Sequence, residues 1–263
     1  MVAQGVTGRL AGKAGVITGA TSGLGLATLR LMTAEGAAIV AVGRSTDRGQ
    51  KIVEALRVEG RQAVFMTGDV SCEADIVAAI ALCREAFGSI DILHNNAAYF
   101  TTADLHETTN EQWERSLTTN LSSVFWGSKH AVIAMREQGR GGSIINTASV
   151  ASFTATADTL AYVATKSGVM GLTRATALAY AAEGIRCNAV CPGDFESAIL
   201  EQFFAASPDP QSARAAIAAT YPTKRILSPE DVARAVLYLA SDDSNGVTGT
   251  SIVVDDGLLA KTY

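Results

Sequence analysis

Tyr162 and Lys166 stand four residues apart in the stretch YVATK (162–166), inside a segment otherwise rich in Ala, Leu, Val and Gly. On a helix that spacing puts both side chains on one face, one turn apart, so a phenol and an ammonium act on the same small volume. A free phenol ionises near pH ~10, too high for a base at neutral pH, and a neighbouring cation favours the phenolate. The pair therefore reads as a general acid–base device, although many soluble helices carry such a pair by chance. A second stretch, TGATSGLG (18–25), offers different chemistry. Gly19, Gly23 and Gly25 allow a tight turn and close approach of the backbone to a pyrophosphate, with Thr21, Ser22 and Leu24 between them, and the free N–H groups of a helix start supply a positive field. The spacing is G-x-x-x-G-x-G rather than G-x-G-x-x-G, and a strand before it and a helix after it favour dinucleotide binding over a plain turn.

Those side chains need strands and helices to hold them. Short β-branched runs at 14–18, 37–42, 62–66, 90–95, 142–149, 185–191 and 250–255 alternate with helical periodicity at about 23–35, 46–59, 72–87, 108–138, 160–183 and 229–241. Strand followed by helix, repeated, predicts right-handed βαβ units, and the near-continuous apolar strands predict burial on both faces. The expected fold is a single α/β domain over residues 1–263: a Rossmann-type doubly wound parallel sheet of about seven strands with helices on both faces. Its ligand should bind at the carboxyl ends of the strands, near the switch point.

An acidic residue at the end of the second strand would hold the ribose 2′-hydroxyl of NAD. In AVGRS (41–45) that place is taken by Gly43, Arg44 and Ser45. A small neutral residue followed by a guanidinium suits a 2′-phosphate, so NADP is favoured, with NAD as the alternative. Asp69 and Val70, after the third strand, are placed for the adenine, Asp69 accepting from its amino group; a plain loop cap is the other reading of Asp69.

With these motifs in order, the chain resembles the short-chain dehydrogenase/reductase family from about residue 10 to 257. TGATSGLG is similar to the family's T-G-x-x-x-G-x-G, NNAA (95–98) to N-N-A-G, YVATK to Y-x-x-x-K, and RCNAVCPG (186–193) to R-x-N-x-x-x-P-G; TTN ends at Asn120 and INTAS at Ser149. The resemblance implies that Tyr162 is the general acid/base and that Ser149 donates to the substrate oxygen. It further implies that Lys166 bonds the nicotinamide ribose, and that Asn120 anchors a water linking Lys166 to solvent. Asn96 and Ala97 should run along the adenosine ribose through backbone groups, and Pro192 and Gly193 should pass beside the nicotinamide. Ser197 stands where a threonine usually bonds the carboxamide, and Phe195 replaces an aliphatic residue. Ala98 for glycine and Asp256 in VDDG (254–257) are further departures from the family pattern.

The implied activity is hydride transfer between a nicotinamide and a small-molecule secondary alcohol or ketone. The alternatives are a 3-oxoacyl thioester reductase of fatty-acid synthesis and, in a different class, a non-catalytic nucleotide-sensing module; retention of both Tyr162 and Lys166 speaks against the latter. Residues 194–228 break the strand–helix rhythm with a Phe- and Ala-rich insertion, placed to act as a lid that excludes water. Asp194, Ile199, Leu200, Phe203 and Phe204 are candidate pocket residues there, with Ser149, Phe153 and Tyr99 opposite. Asp194 would meet a substrate hydroxyl or cation, unless it simply faces solvent.

A formal net charge of −5 argues against nucleic acid or an anionic membrane as partner. MVAQGVTGRLAGK (1–13) lacks the apolar core of a signal peptide, so the expected location is cytoplasmic. The four cysteines and three histidines show no metal-ligand spacing, and no metal is expected. The helices at about 108–138 and 160–183 are apolar over more of their circumference than one buried face needs, which predicts a homotetramer, with GLLAKTY (257–263) expected to join another interface.

Overall fold

In the computed structural model, which describes residues 8–261, the chain runs β1 (Ala14–Thr18), α1 (Gly23–Ala34), β2 (Ala38–Gly43), α2 (Thr46–Val58), β3 (Ala63–Thr67), α3 (Glu73–Phe87), β4 (Ile92–Asn95) and α4 (Asn110–Leu117). It continues through α5 (Ser123–Gln138), β5 (Gly142–Thr147), α6 (Leu160–Tyr180), β6 (Ile185–Pro192), α7 (Ala198–Ala206), α8 (Pro210–Thr220), α9 (Pro229–Ala240) and β7 (Ser251–Val254). The strands form one seven-stranded sheet in the order β3-β2-β1-β4-β5-β6-β7, every neighbouring pair parallel. Strand order grows one way from β1 to β3 and the other way from β4 onward, so the switch point lies between β1 and β4.

Successive strand residues point to opposite faces, and each face meets its own helices. Ile17, Ile39, Ile92, Ile145 and Val190 pack with Leu29 of α1 and Val236 and Leu239 of α9. Val16, Val40, Leu93, Ile144 and Cys187 pack on the other face with Ile80 of α3 and Val132 and Met135 of α5. Burying each such side chain contributes about 1.5–3 kcal/mol, offset largely by chain ordering. This two-sided burial is why the strands read as unbroken apolar runs.

Two departures from the expected elements bear on the site. The helix expected over 108–138 enters through a capping box between Thr109 and Gln112, then breaks into a π-helical turn at Thr118–Ser122 before α5. The extra residue per turn lets Asn120 reach inward, where it is fully buried. The insertion at 194–228 holds two helices, α7 and α8, the second begun by Asp209 as cap and Pro210 in its first turn. Its base is closed by a bridge between Phe195 and Leu227.

Candidate active site

The nucleotide end is made where β1 and β4 separate. The Thr18 hydroxyl accepts from the N–H groups of Asn96 and Ala97 at 2.9 and 3.2 Å, and the Asn96 amide donates back to the carbonyls of Thr18 and Gly19 at 3.0 and 3.3 Å. Gly19 has φ +66°, which L side chains rarely adopt, and a Cβ there would lie 2.9 Å from Ala97 Cα. Gly25 has no room either: its Cβ would meet the Gly19 carbonyl oxygen at 2.2 Å. Ser22 starts α1 without capping it, so the first N–H groups of the helix are left for an anion.

A cleft of about 580 Å³ opens above this turn, lined by Gly19, Thr21, Ser22 and Leu24 on one side and by Asn96, Ala97 and Ala98 on the other. Arg44, Asp69 and Val70 close one end, Phe195 and Ser197 the other. The volume and the bare helix start fit a dinucleotide. Arg44 is exposed; Ser45 is exposed too, at the start of α2, its hydroxyl making no capping bond. Asp69 accepts from Ser71 N–H and Oγ at 2.9 and 2.7 Å, so the loop-cap reading of this residue is realised in the same place as the cleft wall. Those bonds, with Arg44 and Arg115 nearby, hold its carboxyl below the usual range. Because Asn96 and Ala97 spend their N–H groups on Thr18, what they can offer a ribose is carbonyl oxygen. Ser197 accepts from Leu200 N–H at 3.2 Å as the cap of α7.

At the chemical end, the turn after β5 and the first turns of α6 meet. Ser149 is buried, accepts from Ala151 N–H at 3.1 Å, and lies beside the half-buried Tyr162 phenol. Burial pushes Tyr162 up to about 12; Ser149 opposes this, and the charge of Asp194 adds to it. Lys166 is almost fully buried, donates to the Thr147 carbonyl at 2.6 Å, and is drawn down to about 8 by burial. Its Nζ lies 5.6 Å from the Tyr162 ring centroid. Burial dominates the Tyr162 shift, so the phenol holds its proton, while the Lys166 ammonium is bonded to a strand-end carbonyl.

Asn120 binds the backbone of Tyr99 in both directions, accepting from N–H at 2.7 Å and donating to C=O at 2.8 Å, and also donates to Thr165 Oγ1 at 3.3 Å. Both protons of its amide nitrogen are thus spent on protein, and the amide oxygen keeps one free acceptor site. Pro192 ends β6 and Gly193 follows it, both buried.

Tyr99 lines the nucleotide cleft together with Phe195, Ser197 and Ala198 of the insertion, its ring under the Arg115 guanidinium at 4.2 Å. Leu200 and Phe204 are buried in packing, the Ile199 side chain lies outside the described residues, and Phe153 and Phe203 stand about half exposed. Asp194 is exposed and bonded to Tyr221. Asp256 takes φ +48°, a region that suits glycine, where Arg225 and Thr223 hold its carboxylate. Sequence reasoning missed Phe100, which meets Tyr162 edge-on at 5.1 Å between centroids, as well as Arg115 and Tyr221. None of the three sits in a marked pattern; only the adjacency of Phe100 to NNAAY was a signal.

Among the described residues no group of three or more His, Cys, Asp or Glu is placed to hold a metal, and no helix is long and apolar enough to cross a membrane. The cysteines are unpaired, and burial pushes the thiols of Cys83 and Cys187 up to about 12 and that of Cys191 up to about 11.

A family model described as enoyl-(acyl carrier protein) reductase matches residues 19–259. The chain is 35% identical over 251 residues to the A-factor type gamma-butyrolactone 1′-reductase (1S-forming) of Streptomyces virginiae, spanning 95% of this chain and 96% of that protein. It is 37% identical over 246 residues to the cis-4-hydroxycyclohexanecarboxylate dehydrogenase of Sinomonas cyclohexanicum, spanning 93% and 96%. A crystal structure from Burkholderia xenovorans assigned to the short-chain dehydrogenase/reductases aligns with a TM-score of 0.93 at 32% identity, over 98% of this chain and 100% of that one.

Proposed function

The chain belongs to the short-chain dehydrogenase/reductase family of oxidoreductases, and on that premise we propose that it interconverts a secondary alcohol and a ketone, using NADP in preference to NAD. The observation that carries this reading is the meeting of Ser149, Tyr162 and buried Lys166 at the carboxyl end of β5, beside a glycine-turn cleft. The coenzyme would supply or accept the hydride.

In the direction of reduction, Tyr162 gives its proton to the carbonyl oxygen as hydride reaches the carbon, and Ser149 donates to the same oxygen, stabilising the charge that develops there. A phenol at about 12 is already protonated for this step. In the direction of oxidation Tyr162 must first lose that proton. The positive nicotinamide ring of the oxidised coenzyme, together with any charge retained on Lys166, is the field that would draw it off. Lys166 would bond the nicotinamide ribose, and the proton would return to Tyr162 through Lys166 from a water held by Asn120.

Arg44, in no ion pair among the described residues and on the cleft wall, supports a 2′-phosphate partner. Residues 194–228 act as the lid. The exposed apolar side chains Phe125 and Ile133 of α5 and Leu178 of α6 support burial against further copies in a homotetramer. Three buried free thiols fit a reducing, cytoplasmic setting. The relatives named as acting on a butyrolactone and on a hydroxycyclohexane ring support a small cyclic or branched ketone. An acyl-carrier substrate needs a basic entrance to the reacting end, where the charge that acts on Tyr162 is that of Asp194.

Fluorescence titration with NADPH and NADH, followed by loss of reduced-nicotinamide absorbance over a panel of ketones, tests the proposal. Tighter NADPH binding and turnover of at least one ketone are expected. Equal or tighter NADH binding removes the Arg44 assignment, and coenzyme binding with no ketone reduced removes the alcohol–ketone reading.

A further inference from the structure

We infer that Phe100 is a wall of the substrate site that admits only a slim apolar group on its side of the carbonyl, and so decides which enantiomer of the alcohol is formed or consumed. This rests on the oxidoreductase reading and adds to it the class of substrate: ketones with one slim and one bulkier flank. The Phe100 ring meets the Tyr162 ring edge-on, 5.1 Å apart between centroids at an interplanar angle of 78°. A short loop fixes this contact from both ends. On one side, Asn120 holds the backbone of the preceding residue, Tyr99, accepting from its N–H at 2.7 Å and donating to its carbonyl at 2.8 Å. On the other, Ala103 forms a parallel bridge with Thr159, and its N–H donates to the Asp158 carbonyl at 2.9 Å. Asp158 and Thr159 lead into α6, the helix that carries Tyr162. Phe100 and the reacting phenol are therefore set by one frame.

A phenylalanine that served only to brace the loop would be buried, and Asn120 and the Ala103 bridge already brace it. Phe100 is instead 36% exposed, whereas Ser149 and Lys166 are buried. An apolar ring held in place and left in water gains when a ligand covers it. The reacting oxygen must come within about 3 Å of the Tyr162 hydroxyl for the proton to pass, with Ser149 on the same oxygen. Once that oxygen is fixed, the main freedom left to the ketone is a half-turn about its C=O axis. The half-turn exchanges the two flanking groups and presents the opposite face of the carbonyl to the hydride. A side chain that touches one flank therefore chooses the face. A ring already packed on Tyr162 leaves space for a methylene and little for a quaternary carbon, since forcing extra methyls into a filled space is costly. A polar group on that flank would lose water against Phe100 and find no partner, because a phenyl ring carries neither donor nor acceptor.

The test compares the full chain with Phe100→Ala and Phe100→Val, each loaded with its tighter-binding reduced coenzyme. Two ketones are used: 2,2-dimethylcyclohexanone, with one slim and one quaternary flank, and cyclohexanone, whose flanks are alike. Binding is measured by calorimetry, and the enantiomers of 2,2-dimethylcyclohexanol are separated by chiral chromatography. The parent should form one enantiomer over the other by at least about tenfold, and Phe100→Ala should lower that ratio by about tenfold. Phe100→Ala should also improve the binding of the dimethyl ketone relative to cyclohexanone by about threefold. Phe100→Val, with a smaller side chain than the parent, should lower the enantiomer ratio by about threefold. An unchanged enantiomer ratio in Phe100→Ala overturns the inference, as does a parent that forms both enantiomers equally or binds neither ketone. Should Phe100→Ala fail to fold, an unchanged ratio in Phe100→Val overturns it instead. Relative binding that moves as expected with no turnover of either ketone would retain Phe100 as the wall and remove the oxidoreductase reading.

Discussion

At the nucleotide end of the cleft, Thr18 and Asn96 lock β1 to β4, and Gly25 lies where a methyl would meet a backbone oxygen at 2.2 Å. At the substrate end, Phe153 and Phe203 stand about half exposed, and the insertion closes at its base through Tyr221, Phe195 and Leu227. One end is specified by backbone sterics, which tolerate nothing larger. The other is specified by side chains on turns and short helices, which can be exchanged without disturbing the sheet. A scaffold of this kind keeps its coenzyme and changes its substrate.

The steepest test of that contrast is Gly25→Ala. Its methyl must displace the Gly19 carbonyl, so coenzyme binding should fall below detection in a fluorescence titration, and denaturant unfolding should show a loss of about 3 kcal/mol. Retained binding would show that the turn yields. Next in size is Lys166→Met. Burial lowers Lys166 from 10.5 in the unfolded chain to about 8 in the folded one, so between these pH values the unfolded chain binds more protons and the parent gains stability as pH rises. At pH 7 the cost of the buried charge is up to about 3 kcal/mol, reduced by its bond to Thr147. The variant should therefore be inactive yet at least as stable as the parent at pH 7, and should lose that advantage by pH 10.5. A stability difference that stays constant with pH would contradict the burial argument.

Smaller effects sharpen the comparison. Arg44→Ala should reduce the preference for NADPH over NADH by about tenfold, the worth of one charge-assisted contact at an exposed site. Phe203→Ala, at a side chain 54% exposed, should leave the melting temperature in place and change kcat/KM for a ketone by no more than about threefold. A hundredfold loss there would mean that the substrate end is as tightly specified as the other.

The same contrast decides what could be read in advance. The parallel sheet was legible because burial on both faces writes unbroken apolar runs, and the glycine turn because Gly19 and Gly25 have no alternative. Tyr162 and Lys166 were legible as a helical pair. The π-helical turn at Thr118–Ser122 was not, since Asn120 is drawn inward by the Tyr99 backbone, a contact with no sequence period. The stacking of Arg115 over Tyr99 was not legible, because nothing in their spacing marks the contact. Leu200 and Phe204 share an apolar pattern with Phe203, and composition alone does not tell which face of α7 meets the protein. The bond from Lys166 to the Thr147 carbonyl was not legible either, since it joins a helix to a strand end with no sequence period.

The role of the phenol is most directly tested by single-turnover reduction of a ketone by Tyr162→Phe with coenzyme already bound. The expected result is a coenzyme affinity within about threefold of the parent and hydride transfer slower by about 10²–10⁴-fold, the usual worth of a positioned proton donor. Hydride transfer at the parent rate, with the ketone bound and the coenzyme in place, would contradict the assignment of Tyr162 as the group that protonates the reacting oxygen.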